Sequence, residues 1–161
     1  MAEPLHFGVF EILTPSNGVP TWRHPHGRAD VYGDVAYWTT LARTLDDAGF
    51  DFLFFADSYG YPLVDGAVPD EVLSHGILFP GYAPMLLVSA VAQAAPSLGI
   101  VITSSTSLEQ PFPTARRFAT LDAFTGGRIG WNIVTGSTAQ VTEGLFGITH
   151  YDHDTRYDVA D

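Results

Sequence analysis

Asp57 closes one apolar run, the hydroxyl series Thr103-Ser104-Ser105-Thr106 closes a second, and Asn132 and Thr135 stand at the end of a third. One carboxylate, one amide and several hydroxyls form a set that binds rather than reacts. Such groups hydrogen-bond a heteroaromatic ring and a phosphate without supplying a redox centre of their own. In a parallel barrel the C-terminal ends of the strands share one face, so these side chains would converge at its mouth. Taken singly, each hydroxyl also suits a strand-end or helix-cap hydrogen bond. The spacing alone names no cofactor.

Other chemistries are excluded by composition. The chain has no Cys, which removes disulfides, thiolate metal sites and cysteine nucleophiles together. There is no G-x-x-x-x-G-K-[ST], no G-x-G-x-x-G, no H-E-x-x-H and no G-x-S-x-G. Arg23-His24-Pro25-His26 places two His around a Pro with no carboxylate beside them, which suits a loop surface better than a metal site. Eighteen acidic residues face seven basic ones, all of them Arg, for a formal charge of -11. Nucleic acids and anionic membranes demand clustered cations, and Arg116-Arg117 is the one basic pair, so neither is an expected partner. The first residues, MAEPLHFG, do not read as a signal peptide, and no apolar run has the roughly 18 residues of a membrane span. A soluble cytoplasmic protein is expected. At 46% hydrophobic and 16% charged residues, the 161-residue chain has a globular composition rather than a disordered one.

The elements that must carry the polar set alternate. Apolar runs at 5–13, 50–56, 98–103 and 128–135 read as strands, and the middle two are nearly continuous in hydrophobicity. Continuous runs fit strands covered on both faces, as in parallel sheets. Helices are expected at 34–48, where Gly49 is the stop, at 84–95, opened by Pro84, and at 113–124, ended by Thr125-Gly126-Gly127. The order β-α-β-α-β-α-β gives an α/β fold with right-handed crossovers. The connections 14–33 and 58–83 are long and rich in Gly, Pro, His and aromatic residues. They leave the C-terminal ends of strands, where substrate contacts are expected.

Three stretches carry a resemblance: FDFLFFAD at 50–57, STSLEQPFPTARRFATLDAFTGGRIGWNIVTG at 105–136 and DTRYDVAD at 154–161. They resemble the bacterial luciferase-like flavin-dependent monooxygenases. Within that family they are similar to the branch holding nitrilotriacetate monooxygenase component A, dibenzothiophene-sulfone monooxygenase and long-chain alkane monooxygenase. The branch pattern P-[FY]-x-x-A-R-x-x-x-T-L-D-x-x-[ST]-x-G-R-x-G-W-N-x-V-T is matched almost throughout from Pro111 to Thr135. The resemblance implies a TIM (β/α)8 barrel that takes free FMNH2 from a separate NAD(P)H-dependent flavin reductase. Oxygen adds at flavin C4a, and the resulting peroxyflavin oxygenates a small organic substrate. The protein positions the flavin and keeps water out. No metal and no catalytic side chain of the protein's own is then required.

Carried over residue by residue, Asp57 and Thr103 lie near the isoalloxazine, and Asn132 and Thr135 reach it from the fourth strand. His153 and Tyr157, spaced to share one helical face, serve the ribityl-phosphate side. Tyr59 and Asn132 border the substrate. Without the resemblance, His153 between Asp152 and Asp154 is a surface histidine. The family's Arg128 sits at the start of strand four, where an ion pair with Asp122 is expected, and Trp131 is expected to pack in the core. Two departures stand out. Gly136, followed by Ser137, occupies a position where relatives often carry Ser, and Pro96-Ser97 precedes strand three where Thr is usual.

A TIM barrel takes about 250 residues, so 1–161 corresponds to the N-terminal half, with four strands and two open edges. A homo-oligomer is expected of the full-length form. Two alternatives remain open, a truncated and inactive half-barrel or a flavin or F420 oxidoreductase that is not an oxygenase. The loop 60–83 has Asp65, Asp70 and Glu71 but no cation, which favours a neutral, apolar or sulfur-containing substrate. Arg23 and Arg28 in the first loop leave an anionic one open.

Overall fold

Leu53 and Phe55 on one face of their strand, and Ile100 and Ile102 on one face of the next, are fully removed from water. In the computed structural model, which describes residues 4–16, 24–27, 30–136 and 138–161, these strands are the centre of a four-stranded parallel sheet. Its members are β1 (Gly8–Ile12), β2 (Phe52–Ala56), β3 (Gly99–Ser105) and β4 (Ile129–Val134), in the order β1-β2-β3-β4. The sequential parallel order is the one the alternation predicts.

The helices are α1 (Val35–Asp47), α2 (Asp70–Ser74), α3 (Val88–Ala94), α4 (Pro111–Thr125) and α5 (His153–Ala160). A 3-10 segment, Pro84–Leu87, runs into α3, so the expected helix at 84–95 is two pieces. Trp38, Ala42 and Leu45 of α1 and Val88, Val91 and Ala92 of α3 pack on Leu53, Phe55, Ile100 and Ile102 to make the core. Trp38 meets Phe55 edge to face, with ring centroids 5.5 Å apart. The sheet's opposite face carries Phe10 and Phe54, register partners whose rings also meet edge to face at 5.2 Å. Phe10 is 54% exposed, so this second face is open.

The start of α1 is fixed by Asp34, whose carboxylate accepts the Ala36 N–H at 2.8 Å. That bond satisfies one of the orphan donors of the first turn. Asp34→Ala is expected to lower stability by about 1 kcal/mol in urea unfolding. A change below the error of that measurement would mean that packing of Trp38, and not the cap, sets the boundary.

α4 begins at Pro111, two residues before the predicted start. Both Pro111 and Pro113 lie in its first turn, where no N–H is needed. It stops at Gly126, whose φ of 66° is left-handed.

Two expectations for β4 are corrected. Among the described residues Arg128 forms no ion pair with Asp122. Its guanidinium instead donates to the carbonyls of Ala92, Ala95, Leu98 and Thr125. Trp131 is not core either: it is 37% exposed. Its ring stacks on Phe118 of α4 at 4.8 Å, and its indole N–H donates to the Ser104 carbonyl. β4 is a sheet edge here, so its helix-facing side is only partly covered.

Candidate functional site

The open face of the sheet ends in a cavity of about 630 Å³ at the C-terminal ends of the strands. Asp57, Tyr59, Thr103, Asn132, Thr135 and Tyr157 all line it. Parallel order places these residues together: Thr103 and Asn132 are register partners on adjacent strands. Asp57 directly follows β2.

The polar groups form a linked set. The Thr103 hydroxyl donates to the Phe55 carbonyl at 3.1 Å and accepts from the Asn132 amide nitrogen at 3.0 Å. The hydroxyl's proton and one of its lone pairs are used within the protein, and what it holds is the Asn132 amide. Asn132 itself lines the cavity. Thr103 is therefore a strand-interior positioner rather than a strand end, since β3 runs on to Ser105.

Asp57 is mostly buried, and desolvation pushes its carboxyl up to about 6 against a weaker opposing hydrogen bond from the Ser58 N–H. It thus titrates within the physiological neighbourhood. Burial also pushes the Tyr59 phenol up, the Asp57 charge adds to the rise, and Arg117 offsets part of it. The Tyr59 ring meets Phe146 edge to face at 5.0 Å. Phe146 follows a π-helical segment, Gln140–Leu145, which the sequence reading did not anticipate.

His153 is not on the cavity wall. Its ring lies 5.2 Å from that of Tyr157, as one helical face requires, and its Nδ1 lies 2.8 Å from a carboxylate oxygen of Asp154. The α5 helix carrying both is capped by Asp152 and tied to the end of β4 by Arg156, which donates to the Gly136 carbonyl.

The sequence reading missed other cavity residues. The hydroxyl of Ser105, on the same sheet face as Thr103, is buried without a hydrogen-bond partner. Its oxygen would sit 3.7 Å from a Cβ placed on Gly136. Glu109 and Arg117 also line the cavity and pair with each other. Thr114 and Arg117 stand one turn apart on α4, and both reach Glu109 in the loop before it.

The His24 and His26 rings lie tilted to each other, 5.5 Å apart. No group of three or more His, Asp or Glu able to hold a metal occurs among the described residues. Arg23, Arg28 and Ser137 lie outside the described residues. No helix among those described is long and apolar enough to cross a membrane.

The donor set suits a planar heteroaromatic ring. An oriented amide, a carboxyl near neutrality and an unpartnered hydroxyl stand over the apolar floor of Phe10, Phe54 and Ala56.

Comparison with known proteins agrees with that chemistry. Residues 14–161 match the family described as luciferase-like monooxygenase. The chain is 37% identical to the long-chain alkane monooxygenase of Geobacillus thermodenitrificans, over 100% of this chain and 37% of that protein. It is 36% identical to the dimethyl-sulfide monooxygenase of Hyphomicrobium sulfonivorans, over 100% of this chain and 34% of that protein. A crystal structure of a riboflavin lyase with modified FMN and riboflavin superposes with a TM-score of 0.93 at 41% identity, covering 99% of this chain and 36% of that one. The chain spans about a third of the length of the relatives it matches.

Proposed function

The chain belongs to the luciferase-like monooxygenase family, and from that premise we propose that its cavity is the flavin site of an FMN-dependent monooxygenase. The chain is then the N-terminal half of a luciferase-like TIM barrel. The observation that carries the reading is the Asn132 amide, held by Thr103 beside Asp57 at the mouth of the sheet. The ring side is served by Asp57, Thr103, Asn132 and Thr135, and the ribityl-phosphate side by Tyr157 and His153. Bound as FMNH2, the cofactor supplies the electrons that activate O2, one oxygen atom of which enters a small organic substrate.

The chain's own residues bind, orient and exclude water. Asn132 presents its amide oxygen in a fixed direction because Thr103 removes its rotational freedom. Asp57 is able to donate as well as accept a hydrogen bond near pH 6, because burial keeps part of the population protonated. Phe10, Phe54, Met85 and Leu86 give the cavity an apolar wall, and Tyr59 borders the substrate. A cytoplasmic location, an NAD(P)H-dependent flavin reductase as partner and a homo-oligomeric full-length form belong to the same proposal.

Titration of FMN under reducing conditions tests it. Asn132→Ala is expected to weaken binding about tenfold, one lost hydrogen bond being worth about 1 kcal/mol. Thr103→Val is expected to weaken it somewhat less, by freeing the amide to rotate. Undiminished affinity in both variants would sink the flavin assignment.

A second reading, flavin chemistry directed at another flavin, draws support from the 41% identity to a riboflavin lyase. Competition between riboflavin and FMN separates the two: a second, independent riboflavin site favours it.

A further inference from the structure

Among the described residues Arg117 is the one basic side chain on the cavity wall, and its charge is already engaged within the protein. Its guanidinium is paired with Glu109, whose carboxylate also accepts the Thr114 hydroxyl at 3.0 Å. The Glu109 side chain is only 15% exposed, whereas that of Arg117 is 44% exposed. The cation is thus the part that could turn toward a ligand, and the buried anion is the part that holds it. Arg117 is also close enough to Tyr59 for its charge to act on the phenol, so the pair stands beside the substrate edge of the cavity.

We propose that Glu109 is a specificity-determining residue: by holding Arg117 it makes the cavity select neutral ligands and reject anionic ones. The physical reason is an imbalance of charge. With Arg117 neutralised, the wall retains the Asp57 carboxyl and, among the described residues, no free cation. An entering carboxylate or sulfonate loses its water without gaining a partner, and burying an unpaired charge is costly. A neutral chain meets Phe10, Phe54, Met85, Leu86 and Val141 and loses nothing polar. Removing the Glu109 charge converts the same wall into an anion site, because a released guanidinium pairs with carboxylates in bidentate fashion. The assignment rests on the proposed function only in taking this cavity as the substrate's.

Decanol and decanoate, titrated separately by calorimetry without flavin at about pH 8, test it. That pH lies above the titration of Asp57. The wild-type chain is expected to favour decanol by about tenfold or more. E109Q is expected to gain at least about tenfold in decanoate affinity, with decanol little changed. E109Q/R117Q is expected to return to the wild-type preference, because the gain needs the cation. Thermal melting accompanies each variant, and E109S replaces E109Q should the latter fail to fold. Equal affinities in the wild type, an unchanged ratio in E109Q, a gain that survives in the double variant, or no binding of either probe overturns the proposal. FMN titration of the same proteins is read separately. Loss of flavin binding by the wild type refutes the flavin site but leaves the decanol-to-decanoate ratio meaningful.

Discussion

Arg128→Met is expected to destabilise the chain by about 3–5 kcal/mol in chemical unfolding, more than any single-residue change at the cavity. Its guanidinium donates to four carbonyls, at 2.9 Å to Ala95, 2.6 Å to Leu98, 3.2 Å to Ala92 and 2.9 Å to Thr125. The first three belong to the end of α3 and the lead into β3. The residue four after Ala92 is Pro96, which has no N–H to give. The arginine thus supplies a donor that the helix lacks, and its charge sits at the negative end of the helix dipole. Met keeps the length and the apolar stem while removing every donor. Arg128→Lys is expected to recover about half the loss, since one ammonium does not span four separated acceptors. Asp122→Asn is expected to stay within about 0.5 kcal/mol, the range of a surface change without such contacts. If Asp122→Asn cost as much as Arg128→Met, the ion-pair reading would be restored.

That contrast shows what the sequence could and could not disclose. Patterning identified the four strands, because Phe50 to Ala56 and Leu98 to Thr103 are apolar at nearly every position, and only two-sided burial rewards that. Once the order was parallel, Asp57, Asn132 and Thr135 were bound to meet at one end of the sheet. The role of Arg128 was hidden because its partners are main-chain carbonyls, which leave no residue-type signature. The sequence offered Asp122 as the nearest opposite charge, and the fold offered something stronger.

Boundaries failed for physical reasons as well. β3 continues through Ser104 and Ser105 because Trp131 and the ladder to β4 occupy their backbone groups, although hydroxyl residues read as a strand end. α4 starts at Pro111 because two prolines are tolerated in one first turn. Glu109 lies in the loop before α4, so no helical period linked it to Thr114 and Arg117. α2 and the π-helical segment are too short to show a period, so neither was legible. His153 was placed by likeness of motif, and the structure puts it beside Tyr157 but off the cavity wall.

Asp57→Asn is expected to make the chain more stable than wild type at about pH 8 and to lose that advantage by about pH 4. In the folded chain burial pushes the Asp57 carboxyl up to about 6 from its ordinary value of 3.8. Between those two values the folded state keeps a proton that the unfolded state has released. Stability changes with pH in proportion to protons bound unfolded minus protons bound folded. That difference is negative here, so the Asp57 contribution is fully present below about pH 4 and disappears as pH rises through about 6. A gap of roughly two units corresponds to about 3 kcal/mol. Asp57 is only partly buried, so water still reaches part of the carboxyl and about 1–2 kcal/mol is the expected size. Asp51 and Asp152 act in the opposite direction. Their carboxyls are lowered by hydrogen bonds, first from His6 and Thr155 respectively, and their contributions fade as pH falls. Both are present in wild type and variant alike, so subtracting the two stability curves isolates Asp57. The isosteric amide keeps the cavity's shape and removes only the titration. A difference curve that is flat from about pH 4 to about pH 8 would mean that Asp57 is already solvated. Asp57 would then not be a partly protonated hydrogen-bonding group at the mouth of the sheet.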